Sequence, residues 1–186
     1  PNMTIDNNII GTAAATWFKT HFNHTGTIRG IELIKNMAFG TANYSISGNS
    51  FTGVTNSVGV SHGSVRFVSL LGTGNDQVNV NNNSFDNLVL TKGAIFFYLP
   101  YDVVGNGAQN INNNSITGNF QGTILDIIDG FFSDASSTST ISHSNNNFSN
   151  IIVSGSIDGL IITDGSTNPT RIVNDNILEN WQAGGS

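Results

Sequence analysis

Cysteine is absent from the 186-residue chain, so disulfides play no part in its stability and thiol usage does not reveal its compartment. Charge is almost as scarce. Only 10% of residues are Asp, Glu, Lys or Arg, 6 residues are basic, and the formal net charge is −6. With no Lys/Arg cluster to neutralise phosphates, a nucleic-acid partner is not expected. No apolar run approaches the roughly 20 residues that a membrane-spanning helix needs. HExxH, a Walker loop, Gly-x-Ser-x-Gly and the acidic calcium-binding repeats are also missing, so no cofactor is expected and nothing asks for calcium. The surface is left to Asn, Ser, Thr and Gly, a neutral amide- and hydroxyl-rich covering that suits extracellular polymers, sugars above all, or plain solubility.

What the chain does contain is periodic. Six times a mostly aliphatic position is followed three residues later by Asn and five later by Ile, Leu or Phe. The copies are Ile5–Asn8–Ile10, Ile46–Asn49–Phe51, Val80–Asn83–Phe85, Ile111–Asn114–Ile116, His143–Asn146–Phe148 and Val173–Asn176–Leu178. Their first positions are 41, 34, 31, 32 and 30 residues apart, a spacing that signals stacked structural units. Gly or Asn often closes the unit two residues on, as at Gly53, Asn87, Gly118, Asn150 and Asn180. Between the Asn units runs a second phrase, Gly-small-Ile/Val. It appears at Gly26-Thr27-Ile28, Gly63-Ser64-Val65, Gly93-Ala94-Ile95, Gly122-Thr123-Ile124 and Gly155-Ser156-Ile157. Three positions beyond its Ile or Val stand Ile31, Val68, Tyr98, Ile127 and Leu160, and a third short strand reads at Leu88–Leu90 and Ile151–Val153.

A unit of roughly thirty residues with two or three short strands cannot bury its apolar face alone, so neighbours must stack. Each strand then pairs in parallel with its counterpart one repeat later. Parallel crossovers are overwhelmingly right-handed. The expected fold is therefore all-β, a right-handed parallel β-helix (a β-solenoid) of about six rungs roughly 4.8 Å apart. The repeated Asn is expected in a left-handed corner, bonding to the Asn above and below as an internal ladder. The residue two places on is expected inside, and the Gly of the second phrase at a positive-φ corner. In these repeats the chain resembles the right-handed parallel β-helix family, the pectate-lyase-like superfamily, whose repeats typically read Ile-x-x-Asn-x-Ile. The resemblance covers nearly the whole chain and implies the fold. It implies no single activity, because that family mixes lyases, hydrolases, phage tailspikes and surface adhesins.

Residues 1–183 are expected to form one domain and Gly184–Ser186 a tail or linker. An Asn unit close to each end, with Pro1 first, points to a segment of a longer chain. The first interval is the longest and holds Trp17, Phe18 and Phe22, expected to cover one end of the core. Residues 11–19 there form the one stretch with helical potential.

Chemistry on such a scaffold needs groups that converge on one outer face from adjacent repeats. Glycoside hydrolysis wants two carboxyls about 5 to 9.5 Å apart. The candidate catalytic residues are Asp126, Asp129 and Asp158, at positions +4, +7 and +3 from the Gly of the second phrase. Positions +3 and +4 face opposite sides of a regular strand, so Asp126 and Asp158 do not converge in this register. Asp102 and Asp164 share position +9, two repeats apart. Arg29 and Arg66 share position +3 on adjacent repeats and are the candidate ligand-binding pair, since a uronate carboxylate would satisfy both. The bland alternative has both side chains splayed into water, with Arg29 leaning on Glu32. His21, His24, His62 and His143 repeat at no ligand spacing, and His143 reads as a half-buried corner residue; no metal site is expected. Flanking the Asn column, Thr4, Ser45, Asn79, Asn110, Ser142 and Asp6, Ser47, Asn81, Asn112, Ser144 make a flat, almost uncharged strip.

The expected function is that of a non-catalytic solenoid segment of a secreted or cell-surface protein: a stalk, adhesin or glycan-contacting surface. Polysaccharide or cell-surface glycan is the expected partner. A polysaccharide lyase or hydrolase is the alternative, and a self-assembling fibre or tailspike-like shaft, hence a homo-oligomer, is a third.

Overall fold

The computed structural model describes residues 2–11, 18–20, 27–34, 41–56, 64–71, 76–86, 88–90, 94–101, 108–116, 120–122, 127–135, 140–153, 155, 157–164 and 170–184. Every regular element among them is a β-strand, and the strands pair in parallel in four sheets. The first sheet holds Asn2–Asp6, Asn43–Ser47, Gln77–Asn81, Ala108–Asn112, Thr140–Ser144 and Thr170–Asn174. The second holds Ile9–Gly11, Ser50–Thr52, Ser84–Asp86, Ser115–Ile116, Asn147–Ser149 and Ile177–Glu179. The third holds Phe18–Thr20, Val54–Asn56, Leu88–Leu90, Phe120–Gly122, Ile151–Val153 and Gln182–Ala183. Thr27–Ile34, Ser64–Leu71, Ala94–Tyr101, Ile127–Ala135 and Ile157–Asp164 make the fourth. In each sheet a strand lies beside its counterparts in the preceding and following repeats, as a β-helix-like repeat requires. Of the stretch 11–19 expected to have helical potential, Gly11, Phe18 and Lys19 are strand residues, while residues 12–17 with Trp17, and also Phe22, lie outside the described residues.

Alternation along each strand divides core from surface. In Gln77–Asn81, Val78 and Val80 are buried while Gln77, Asn79 and Asn81 lie on the outer face. A corner then turns the chain. Asn7, Gly48, Asn82, Asn113, Asn145 and Asp175 all have φ between 54° and 66°. Only Gly, Asn and Asp enter that region at low cost, which explains what fills the column. The left-handed residue is thus the one before the repeated Asn, which corrects the expectation from sequence. With its neighbour making the turn, the repeated Asn keeps its side chain inside. Gly53, Asn150 and Asn180 make a second corner with φ of 71°, 60° and 55°. Of the second-phrase glycines, Gly122 is a strand residue and does not supply it, while Gly26, Gly63 and Gly93 lie outside the described residues.

The inward Asn side chains form a ladder running one way. Asn49 Nδ2 donates to Asn83 Oδ1 at 3.0 Å, Asn83 to Asn114 at 3.0 Å, Asn114 to Asn146 at 3.1 Å and Asn146 to Asn176 at 2.9 Å. Each Oδ1 also accepts the backbone N–H of the preceding ladder Asn. The remaining amide hydrogen reaches the carbonyl of Ile46, Val80 or Ile111 in the repeat before. A buried amide is tolerable only when so saturated, because an orphaned donor or acceptor costs about 1–3 kcal/mol.

Beside the ladder the core is aromatic. Phe51 and Phe85 stack with ring centres 5.0 Å apart, and Phe67 and Phe97 with centres 5.6 Å apart. The two stacks meet edge to face, Phe85 against Phe97 at 4.9 Å and 64°. Gly30 precedes Phe67 in its column: a Cβ there would stand 2.7 Å from the Phe67 carbonyl oxygen and 2.9 Å from the Phe51 ring.

The fourth sheet corrects one register. Ala94, Ile95 and Tyr98 pair with Ile127, Ile128 and Phe131, and Ile128 in turn with Ile157. The fourth copy of the second phrase therefore lies four residues later than Gly122-Thr123-Ile124, and Phe131, not Ile127, continues the column of Ile31, Val68, Tyr98 and Leu160. Gly122 is already committed to the third sheet, where it pairs with Leu90. The signal was present as Ile128-Asp129-Gly130-Phe131, which matches Ile157-Asp158-Gly159-Leu160 and Ile28-Arg29-Gly30-Ile31.

Candidate functional site

The corrected register rearranges the charged candidates. Arg29 pairs with Arg66, Arg66 with Phe96, Phe96 with Asp129 and Asp129 with Asp158. One row of the fourth sheet thus carries two arginines, an aromatic residue and two aspartates in succession, at the parallel-strand spacing of about 4.8 Å. Asp129 and Asp158, four positions apart in the sequence-derived register, are direct strand neighbours. Asp126 and Asp102 lie outside the described residues. Asp164 pairs with Ala135 and Asp134 with Thr163, so neither finds a carboxylate at its own level on the adjoining strand.

The outer face of the first sheet is a lattice. Its rows run Thr4, Ser45, Asn79, Asn110, Ser142, Ile172 and Asp6, Ser47, Asn81, Asn112, Ser144, Asn174. Neighbours in a row are about 4.8 Å apart and the rows about 6.6 Å apart, two residues along a strand. The side chains are fixed by one another. Asn110 Nδ2 donates to Asn79 Oδ1 at 2.9 Å. In the second row the oxygen caps the next repeat: Asp6 Oδ1 accepts the N–H of Ser47 at 3.0 Å, Asn81 Oδ1 that of Asn112 at 3.0 Å and Asn112 Oδ1 that of Ser144 at 2.9 Å. Ser142 Oγ adds a bond to Asn112 Oδ1 at 3.1 Å. Asn81 and Asn112, their oxygens so engaged, are half-buried residues of the outer face. Sequence reasoning found the strip but not this capping, whose only trace is an Asn or Asp at the last position of the strand.

Two titratable groups lie inside. His143 is a strand residue with no exposed surface, so it is fully buried where a half-buried corner was expected. Burial pushes its imidazole down to about 4, so the ring is neutral near pH 7. Asp76 is buried where the first-sheet strand Gln77–Asn81 begins, and its Oδ1 accepts the N–H of Ala42 at 2.7 Å. Burial, and then the Asp76 charge, raise the phenol of Tyr44. The Asp76 bond ties Ala42 to the strand that begins at Gln77. Among the described residues no three His, Asp or Glu side chains gather as a metal site, and no helix is long and apolar enough to cross a membrane. Comparison with protein families, with curated proteins and with solved structures finds no match for the chain.

Proposed function

We propose that the repeats wind into a right-handed parallel β-helix of about six rungs and that this solenoid is a non-catalytic segment of a secreted or cell-surface protein, presenting the outer face of the first sheet to glycan. The observation that carries the reading is the pair Asn81 and Asn112, whose oxygens are spent on the next repeat, which leaves their amide nitrogens as the groups able to donate to a ligand. Preorganised amide donors on a flat, nearly uncharged lattice suit ligands rich in hydroxyl and ring oxygens, and little side-chain freedom is lost on binding. Binding to a panel of neutral and uronate polysaccharides tests this. Asn81→Ala with Asn112→Ala should weaken binding to neutral polymers about tenfold or more. Unchanged binding by the folded double variant would reject the face.

The row of Arg29, Arg66, Phe96, Asp129 and Asp158 supports a second reading, a polysaccharide lyase or hydrolase. Asp129 and Asp158 are paired positions on neighbouring strands, about 4.8 Å apart, and retaining glycoside cleavage uses two carboxyls about 5–5.5 Å apart; the arginine pair lies in the same row. New reducing ends or unsaturated products from any polymer of the panel, abolished by Asp129→Asn and by Asp158→Asn, would establish this reading in place of the first.

A further inference from the structure

One row of the fourth sheet reads the same from either end once the signs of charge are exchanged. Arg29, Arg66, Phe96, Asp129 and Asp158 are successive partners across its five parallel strands. Phe67 and Phe97, the residues that follow Arg66 and Phe96, are 3% and 0% exposed. Alternation therefore puts the row at positions of the outer face.

Within one chain this order is unfavourable. The chain has 6 basic residues, and two of them are neighbours in this row. Each arginine has an arginine on the adjoining strand about 4.8 Å away, and each aspartate an aspartate. Like charges so placed repel. The nearest opposite charges in the row, Arg66 and Asp129, are separated by the strand of Phe96 and stand about 9.6 Å apart. A second row laid over the first in reverse order satisfies every charge at once.

We propose that this face is an interface between two copies of this chain, packed fourth sheet on fourth sheet about a two-fold axis along the strand Ala94–Tyr101 at Phe96. Such an axis keeps the strand direction and reverses the order of the repeats. Arg29 of one copy stands opposite Asp158 of the second, Arg66 opposite Asp129, and Phe96 meets its own counterpart. Every contact is made twice, as an isologous interface requires. Sheets aligned in this way pack about 10 Å apart. The neighbouring row of the same face, Thr27, Ser64, Ala94 and Ile127, has small residues at three of its four positions and no charge. Charge complementarity fixes the register: a slip of one repeat keeps two of the four arginine–aspartate pairs, and repeats in the same order would set arginine on arginine. The contact is centred in the middle of the row and uses neither end of the chain. It does not involve the first-sheet face, and it gives the row a use other than polymer cleavage.

Sedimentation equilibrium over a concentration series tests the interface. The unmodified chain should pass from monomer to dimer and stop there, because a two-fold contact closes on itself. Raising salt from about 0.05 M to about 0.5 M should weaken the dimer about tenfold or more. Arg66→Asp and Asp129→Arg each set like charges opposite one another and should each stay monomeric. Mixed in equal amounts they should form a heterodimer, because the two aspartates of R66D at these positions meet the two arginines of D129R. Should either variant lose its β-sheet circular dichroism, Arg29→Asp and Asp158→Arg repeat the test at the outer pair. A parent monomeric at every concentration, growth beyond the dimer, indifference to salt, variants that associate like the parent, or a mixture that stays monomeric would each overturn the proposal.

Discussion

Asn114 and Asn8 occupy the same column, yet they sit in different surroundings. Asn114 is fully buried, accepts two bonds through Oδ1 and gives its amide to Val80 and Asn146. Asn8 is exposed and its oxygen accepts nothing, although its amide makes the same bond to the next repeat. The same contrast separates Phe85, 1% exposed, from Leu178, 47% exposed. In a stack of repeats a residue's importance is set by whether both neighbours are present, because a repeat contacts only the repeats on either side. Identical chemistry therefore stabilises the middle and barely touches the ends.

The largest break of this contrast is Asn114→Ala. It orphans the N–H and one amide hydrogen of Asn83 and the carbonyl of Val80, and should cost about 3–5 kcal/mol in denaturant unfolding. Asn8→Ala, by comparison, should cost about 0.5–1 kcal/mol, because Asn49 Oδ1 still accepts the Asn8 N–H.

Acid tests the interior differently. His143 replaces the aliphatic residue of its column, and its folded value of about 4 lies below the ordinary 6.5. As pH falls, the unfolded chain takes up a proton near 6.5 and the folded chain only near 4. Stability should therefore be full above about pH 6.5, decline through the interval and level off below about pH 4, a loss on the order of 3 kcal/mol. His143→Val, copying Val80 and Val173, should flatten that part of a stability-against-pH curve.

Gly30 shows that the first repeat is not tolerant everywhere. Gly30→Ala presses a methyl on the Phe67 carbonyl and the Phe51 ring and should lower stability by about 1–3 kcal/mol. The smallest effect belongs to the outer rows: Ser84→Ala should change unfolding by less than about 0.5 kcal/mol.

Much of this organisation was legible in the sequence because stacking repeats a requirement. Asn49, Asn83, Asn114 and Asn146 all face the same demand, so one residue type fills the column and the ladder follows. Phe51, Phe85 and Phe148 were placed inside for the same reason. The corner was misread by one residue because both neighbouring columns are rich in Asn, and only backbone angles tell a left-handed Asn82 from an inward Asn83. The fourth sheet was misread by four because Gly122-Thr123-Ile124 imitates a phrase whose true copy has Ile127 and Ile128 in the places of Ala94 and Ile95. That slip hid the pairing of Asp129 with Asp158 while leaving Arg29 beside Arg66. The capping by Asp6, Asn81 and Asn112 left no periodic signal strong enough to find.

Amide hydrogen exchange of the ladder asparagines, measured on dilute protein, tests the contrast between middle and ends most directly. The N–H groups of Asn83 and Asn114, each held by the next Asn oxygen, should exchange only with global unfolding. That of Asn176, which has no such acceptor, should exchange almost freely. Exchange at Asn114 as fast as at Asn176 would contradict the account.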